Sequence, residues 1–235
     1  MLDASAIKLC TFDCYGTLVD WERGLLACVQ PILCAHGVKM SKRELGGEII
    51  EVFAREERAI EAGVFMSYAD VCAENMRRIA AHFDVTLEKS EAGALGESIQ
   101  DWPAFDETPA ALRVLKQRFK LGVLSNIDDD FFAHTAAKLG AQLDFLVTSQ
   151  QVRSYKPKRA HFEQIFLRSG LLPSEILHIA ESRYHDIAPA SELGMRTVWV
   201  NRHGDVGPSA SGASDAQADI SVGSLAELVK VLAGE

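Results

Sequence analysis

The chain has 235 residues, 48% hydrophobic and 24% charged, and 24 Lys plus Arg against 33 Asp plus Glu give a net charge of −9. A chain of this length buries enough surface to fold without disulfide or metal staples, and its acidic balance argues against a nucleic-acid partner. No run reaches the ~20 apolar residues of a membrane span, and Met1-Leu2-Asp3-Ala4-Ser5 has neither the basic start nor the apolar stretch of a secretory signal. Five cysteines, Cys10, Cys14, Cys28, Cys34 and Cys72, are odd in number, lack C-x-x-C spacing and sit in apolar stretches. They read as reduced core residues of a cytoplasmic protein.

In chain order, Ile7-Lys8-Leu9-Cys10-Thr11-Phe12 is a buried-strand run that stops at Asp13 and a Gly16-Thr17 turn. The stretch from about Trp21 to Gln100 carries helical periodicity only, over Gly24–Ala35, Ser41–Ala62, Ser67–Phe83 and, more weakly, Lys89–Ile99. Trp102-Pro103-Ala104-Phe105 reads as the return crossing. Strands at 120–124, 145–148, 176–180 and 196–200 then alternate with helical patterns at Pro109–Phe119, Phe131–Leu139, His161–Ser169 and Asp186–Leu193. Thr108 before Pro109 has the form of a helix N-cap. His203–Gln217, rich in Gly, Ser, Ala and Asp, reads as a mobile surface loop before a last short strand at Ile220 and a helix over Leu225–Leu232. Alternation of this kind predicts an α/β fold, a doubly wound parallel sheet with helices on both faces. The strand-free stretch reads as an inserted all-helical cap, with core residues 1–18 plus 101–235 and cap residues 19–100.

Four polar clusters each follow a predicted strand, and ligands of open α/β sheets bind at the carboxyl ends of strands. They are Asp13-Cys14-Tyr15-Gly16-Thr17, Ser125-Asn126, Lys156-Pro157 and Glu181-Ser182-Arg183-Tyr184-His185-Asp186. Singly, each is an ordinary turn, cap or solvated loop. Four in order on one sheet make a site.

Phe12-Asp13-Cys14-Tyr15-Gly16-Thr17-Leu18, Leu124-Ser125-Asn126, Tyr155-Lys156-Pro157 and Ala180-Glu181-Ser182-Arg183-Tyr184-His185-Asp186-Ile187 resemble the four ordered motifs of the haloacid dehalogenase superfamily. The resemblance covers nearly the whole chain and implies a Rossmann-like core with a helical cap. Phosphatases of that superfamily carry Asp-x-Asp in the first motif, the second Asp protonating the leaving group. Tyr15 stands there, and a phenol near pKa 10 is a poor acid for that role. Asp-x-Tyr-Gly-Thr is similar instead to the type II L-2-haloacid dehalogenases, whose halide leaving group needs no proton.

The resemblance implies that Asp13 attacks the carbon bearing the leaving group and forms an ester. Water then attacks the Asp13 carboxyl carbon and releases a 2-hydroxy acid. Lys156 would keep Asp13 ionised, Thr17 and Ser125 would hydrogen-bond carboxylates of enzyme and substrate, and Asp186 would orient Lys156 or the hydrolytic water. Asn126 matches the residue that helps receive the halide. Arg55 is the best match for the cap arginine that holds it, Arg58 the second. Tyr15, Trp21 and Ser182 complete the expected substrate and leaving-group contacts, and His185 is assigned a supporting role. The expected partner is a small carboxylate, with no cofactor, no nucleic acid, no membrane, and a homodimer left open.

The fourth motif departs from the dehalogenase pattern, with Glu181 added and an Asn missing. That stretch, with Asp20-Trp21-Glu22 and Ser125-Asn126-Ile127-Asp128, is closer to a sister branch that includes azetidine-2-carboxylate hydrolase, which opens a strained ring by the same ester route. A magnesium-dependent phosphatase, with Asp13, Glu181 and Asp186 as oxygen ligands, is the alternative from another class.

Overall fold

A computed structural model describes residues 4–204 and 214–233. It contains a six-stranded, all-parallel sheet in the order β3-β2-β1-β4-β5-β6, with β1 Leu9–Phe12, β2 Lys120–Ser125, β3 Phe145–Thr148, β4 Ile176–Ala180, β5 Arg196–Val200 and β6 Ile220–Val222. β1 is buried at every position because it is paired on both edges and covered on both faces, which is why its sequence is a continuous apolar run and not an alternating one. Its side chains still alternate. Leu9 joins Leu124, Phe162 and Ile165 on one face, whereas Cys10 and Phe12 join Leu112, Leu115, Leu225 and Leu228 on the other.

After β1 come four helices, α1 Trp21–Ala35, α2 Lys42–Glu61, α3 Tyr68–His82 and α4 Lys89–Ser98, followed by one 3-10 turn, Ile99–Asp101. α2 starts at a reciprocal Ser41/Glu44 capping box. It buries Leu45, Ile49, Val52, Phe53 and Ile60, a stripe at helical spacing that packs on α1 and α3. Gly24 lets α1 lie flat on Trp102, since a Cβ there would sit 2.3 Å from the indole ring. The expected return crossing is a short antiparallel bridge, Val19 with Ala104, supported by Asp20 N–H to Pro103 O at 2.9 Å and Phe105 N–H to Leu18 O at 3.1 Å.

The remaining helices are α5 Thr108–Lys116, α6 Asp129–Ala136, α7 Ser149–Val152, α8 Ala160–Ser169, α9 Ala188–Glu192 and α10 Leu225–Ala233. Several expectations need correction. Thr108 is not the cap, because the helix begins on it after Glu107; its hydroxyl donates to Leu18 O at 3.0 Å and ties the return crossing to the loop after β1. The run from Asp186 is broken, a π-helical turn over Arg183–Ile187 preceding α9. α7 had no signal longer than its own four residues. The cysteines are free, but only Cys10, Cys14 and Cys72 are buried; Cys28 is intermediate and Cys34 is exposed on α1. Residues 205–213 of the expected surface loop lie outside the described residues. No described helix is long and apolar enough to cross a membrane.

Candidate active site

The sheet order reverses direction at β1, whose neighbours β2 and β4 run off to opposite edges. The crevice above their carboxyl ends is where an open α/β sheet presents a ligand site. A cavity of about 90 Å³ lies there. Asp13, Tyr15, Trp21, Ser125, Asn126, Lys156, Glu181, Ser182 and Asp186 all line it.

At its base Lys156, 2% exposed, spends all three ammonium hydrogens: Nζ donates to Asp13 Oδ1 at 2.8 Å, Asp186 Oδ1 at 2.7 Å and Leu124 O at 2.9 Å. Burial opposes the charge of Lys156, but the two carboxylates outweigh it and hold the ammonium above the ordinary lysine range. Burial would also raise Asp186, yet Lys156 and His178 more than offset it and hold that carboxyl below its ordinary range. Asp13 goes the other way: burial and the nearby Asp186 push it up, against the pull of Lys156 and Thr17.

Thr17 has its proton direction fixed. Its Oγ1 accepts the Glu181 N–H at 2.9 Å, so it donates to Asp13 Oδ2 at 2.8 Å. The loop that carries Asp13 and Thr17 turns at Gly16, φ +100°, where a side chain would be strained and would meet the Trp21 ring at 3.4 Å. Arg202 clamps the same loop through two bonds to Thr17 O, at 3.2 and 2.6 Å, and an ion pair to Glu107 at 2.8 Å. Beneath Asp186, His178 Nε2 lies 2.9 Å from Oδ1 and its Nδ1 lies 2.9 Å from Thr11 Oγ1. Asp186 being ionised, Nε2 is the donor. Neither Arg202 nor His178 was found in the sequence: one lies far down the chain, and the other sits inside a strand where a His reads as core.

Tyr15 lies edge-on to Trp102, ring centroids 5.7 Å apart, and its hydroxyl is 2.8 Å from Thr135 Oγ1 on α6. Burial pushes its phenol well above the ordinary tyrosine range, so this position holds its proton. Trp21 packs on Phe53 of α2, centroids 5.2 Å apart. Ser182 Oγ accepts the His185 N–H at 3.0 Å and stands 3.1 Å from its Nδ1. Burial lowers His185 to about 4, leaving it neutral in the support of that turn. Ser125 Oγ and Asp186 Oδ2 are buried atoms with no hydrogen-bond partner, and both residues line the cavity.

The two residues expected on the leaving-group side are placed differently. Arg55 points away from the cavity, half exposed and paired with its neighbour Glu56 at 2.9 Å, whereas Arg58 lines the wall. The reason is helical phase: Ala54, Glu57, Arg58 and Glu61 form the i, i+3, i+4, i+7 stripe that α2 presents to the cavity, and residue 55 lies off it. Asn126 has its amide hydrogens directed at Glu61 Oε2, 3.1 Å, and Lys156 O, 3.3 Å, while its oxygen accepts the Lys156 N–H at 2.7 Å. Glu57 and Glu61 are two further residues that the sequence did not reveal. Charged positions on an amphipathic helix read as a solvated face, and only the four-residue stripe marks them as inward.

Lys156 already places a positive charge among the oxygens that the magnesium alternative would use. Both Oδ1 atoms of Asp13 and Asp186 are occupied by Lys156 and Asp13 Oδ2 by Thr17. Among the described residues no three His, Cys, Asp or Glu side chains converge as a cation site.

The chain resembles known proteins in sequence and in fold. The chain is 26% identical over 205 residues to an (S)-2-haloacid dehalogenase of Pseudomonas sp. (strain YL), covering 85% of both chains. It superposes on an L-2-haloacid dehalogenase from Xanthobacter autotrophicus with chloropropionic acid covalently bound, at a TM-score of 0.79 and 18% identity over 97% of this chain and 99% of that one. It also superposes on a magnesium-bound HAD-hydrolase of Bacillus subtilis, at a TM-score of 0.79 and 16% identity over the same shares. The family model for haloacid dehalogenase-like hydrolases matches residues 7–194, and the chain belongs to that family.

Proposed function

We propose that this enzyme hydrolyses a small 2-substituted carboxylate by double displacement through an ester on Asp13, giving a 2-hydroxy acid. The observation that carries this reading is the Lys156 ammonium bridging Asp13 and Asp186 at the floor of the cavity. One Asp13 oxygen attacks the substrate carbon in line, the bond to the leaving group breaks, and the electron pair departs with that group. Lys156 and Thr17 orient the attacking carboxylate and balance its charge. Water then adds to the Asp13 carboxyl carbon, the ester C–O bond to the enzyme oxygen breaks there, and the product leaves with its own oxygen taken from Asp13.

The relatives' names make halide the first leaving group to test. Tyr15 supports this, because it offers no acid where a phosphatase needs one. Ser125 Oγ is assigned to the substrate carboxylate and Asp186 Oδ2 to the hydrolytic water, these being the buried atoms without partners. The same reading takes 19–100 as a cap over a core of 1–18 plus 101–235, in a cytoplasmic enzyme. A single turnover of 2-chloropropionate in heavy-oxygen water tests it: label is expected in Asp13, read by peptide mass spectrometry. Label found directly in the product would mean that water attacks the substrate, and the ester reading would be wrong.

A further inference from the structure

His178 is a polar residue in an apolar layer. It registers with Thr11 of β1 across the strand pair, on the face of the sheet that carries Leu9, Ile176 and Phe162. The Phe162 ring stands edge-on to it, centroids 5.3 Å apart, and both His178 and Thr11 are fully buried. An apolar side chain would satisfy the packing of that layer, and a buried imidazole is tolerated only where its nitrogens find partners. Both do: Nε2 meets Asp186 Oδ1 at 2.9 Å and Nδ1 meets Thr11 Oγ1 at 2.9 Å. The ionised Asp186 only accepts, so Nε2 carries the hydrogen; in the neutral ring Nδ1 is then the acceptor and the Thr11 hydroxyl donates to it.

This relay decides which oxygen of Asp186 is free. Oδ1 takes hydrogens from His178 on β4 and from Lys156 Nζ, 2.7 Å away, in the loop after α7. Turning the carboxylate about its Cβ–Cγ bond would break both bonds at once. With the ammonium as its sole donor, the same carboxylate would be free to offer Nζ either oxygen. His178 therefore keeps Oδ2 off the lysine, and Oδ2 is the buried, unpartnered atom of a residue that lines the cavity.

We propose that His178, backed by Thr11, is a positioning residue for the second half of the reaction, holding Asp186 so that Oδ2 receives a proton from the water that attacks the Asp13 ester. The proposal rests on the double-displacement reading and assigns a residue to its hydrolytic step. The water oxygen bonds to the Asp13 carboxyl carbon and passes one proton to Asp186 Oδ2. The bond from that carbon to the ester oxygen breaks, its electron pair goes to the product oxygen, and the proton held by Asp186 follows it there. The second proton of the water goes to solvent as Asp13 returns to a carboxylate. Ester formation depends on the alignment of Asp13, which Lys156 and Thr17 secure by their own bonds. Loss of His178 is therefore felt when the ester is hydrolysed and not when it forms.

The experiment follows (S)-2-chloropropionate with the wild type, His178→Leu, His178→Gln and Thr11→Val. It reads kcat and KM, the Asp13 peptide by rapid-quench mass spectrometry, and a thermal unfolding midpoint for each protein. In His178→Leu, kcat is expected to fall by about 10²-fold, the scale of a misplaced catalytic group. KM should fall with it, so that kcat/KM, which reports the steps through ester formation, stays near the wild type while the ester accumulates on Asp13. Gln sets an amide N–H where Nε2 stood and should restore most of the loss; Thr11→Val should show the same pattern in weaker form. A protein that is merely less well folded loses kcat and kcat/KM together and gathers no ester. That result in His178→Leu would overturn the proposal, as would an unchanged kcat or a Gln variant no better than Leu. Should His178→Leu fail to fold, Thr11→Val decides: the parallel fall of kcat and KM with ester on Asp13 supports the proposal, and wild-type values overturn it. Heavy-oxygen label entering wild-type Asp13 without ester accumulation in any variant would overturn this inference alone. Absence of that label from wild-type Asp13 would remove the ester reading and this inference together.

Discussion

Replacing Lys156 by methionine keeps the length of the side chain and removes the one cation that Asp13 and Asp186 share. In the wild type both carboxylates lie within 2.8 Å of Nζ, and Asp186 is fully buried. Oxygens that share one nitrogen at that distance are roughly 5 Å apart, so at an effective dielectric of about 20 their repulsion alone is about 3 kcal/mol. Leaving a buried charge without its partner typically costs about 3–5 kcal/mol, and the expected loss lies in that range at pH 8. The pH dependence supplies the control. Lys156 is held above its ordinary range, so its contribution is complete below the unfolded lysine value of about 10.4 and is lost only as pH rises through the folded value. Asp186 is held below its range, so its contribution is present above about 3.9 and fades as pH falls through the folded value. Without the ammonium, burial pushes both carboxyls up, and at pH 5 the variant relieves the repulsion by binding a proton that the wild type does not bind. Urea unfolding at pH 8 and pH 5 measures this: at a slope of roughly 3 kcal/mol per molar, the midpoint falls by about 1–1.7 M at pH 8 and by clearly less at pH 5. A loss below about 1 kcal/mol at pH 8, the central value for a single ordinary hydrogen bond, would refute the reasoning. So would a loss that is the same at both pH values.

Two further outcomes are expected. Arg58→Ala should lower kcat/KM by about 10²-fold, the loss of a substrate-positioning contact, while Arg55→Ala should stay near the wild type, its pair with Glu56 being solvent-exposed; equal effects in steady-state kinetics would contradict the helical phase of α2. His161 and His185 are lowered by burial to about 3 and about 4, so between those values and about 6.5 the unfolded chain binds protons that the folded one does not, and stability should rise with pH by up to about 1.4 kcal/mol per unit for each. Denaturant titration of wild type and His161→Gln from pH 4 to 7 should show a shallower slope in the variant.

The core of the fold was readable because the central parallel strands are buried on both faces, so Leu9–Phe12 and Ile176–Ala180 stand out as apolar runs cut off by a polar residue. The same interruption located Asp13, Ser125 and Asp186, since residues at strand ends project into the crevice. Lys156 was readable only through its motif, as nothing local distinguishes it from Lys158. What remained hidden depends on rotation or on distance. The choice between Arg55 and Arg58, and the inward turn of Glu57 and Glu61, follow from the phase of one helix, which is set by contacts with α1 and α3. Thr108 and Arg202 acquire their roles from partners 90 and 185 positions away, and local propensity carries no information about such pairs. Cys34 was misplaced because its apolar neighbours in sequence face the other side of α1.

The central position of β1 also dictates when the active site can exist. Leu9 registers with Lys120 on one side and with Ile176 on the other, so the first strand made is the one that waits for both neighbours. Sequence separations this large slow folding, because chain closure must be achieved before the contacts repay it. Until β4 and the turn after it are synthesised, Asp13 lacks the neighbour at its second edge, and Lys156 lacks Asp186. An emerging chain therefore cannot bury its nucleophile early. A ribosome-bound chain ending before residue 176 should hold an unsealed apolar strand, with the chaperone dependence and protease sensitivity that such exposure brings.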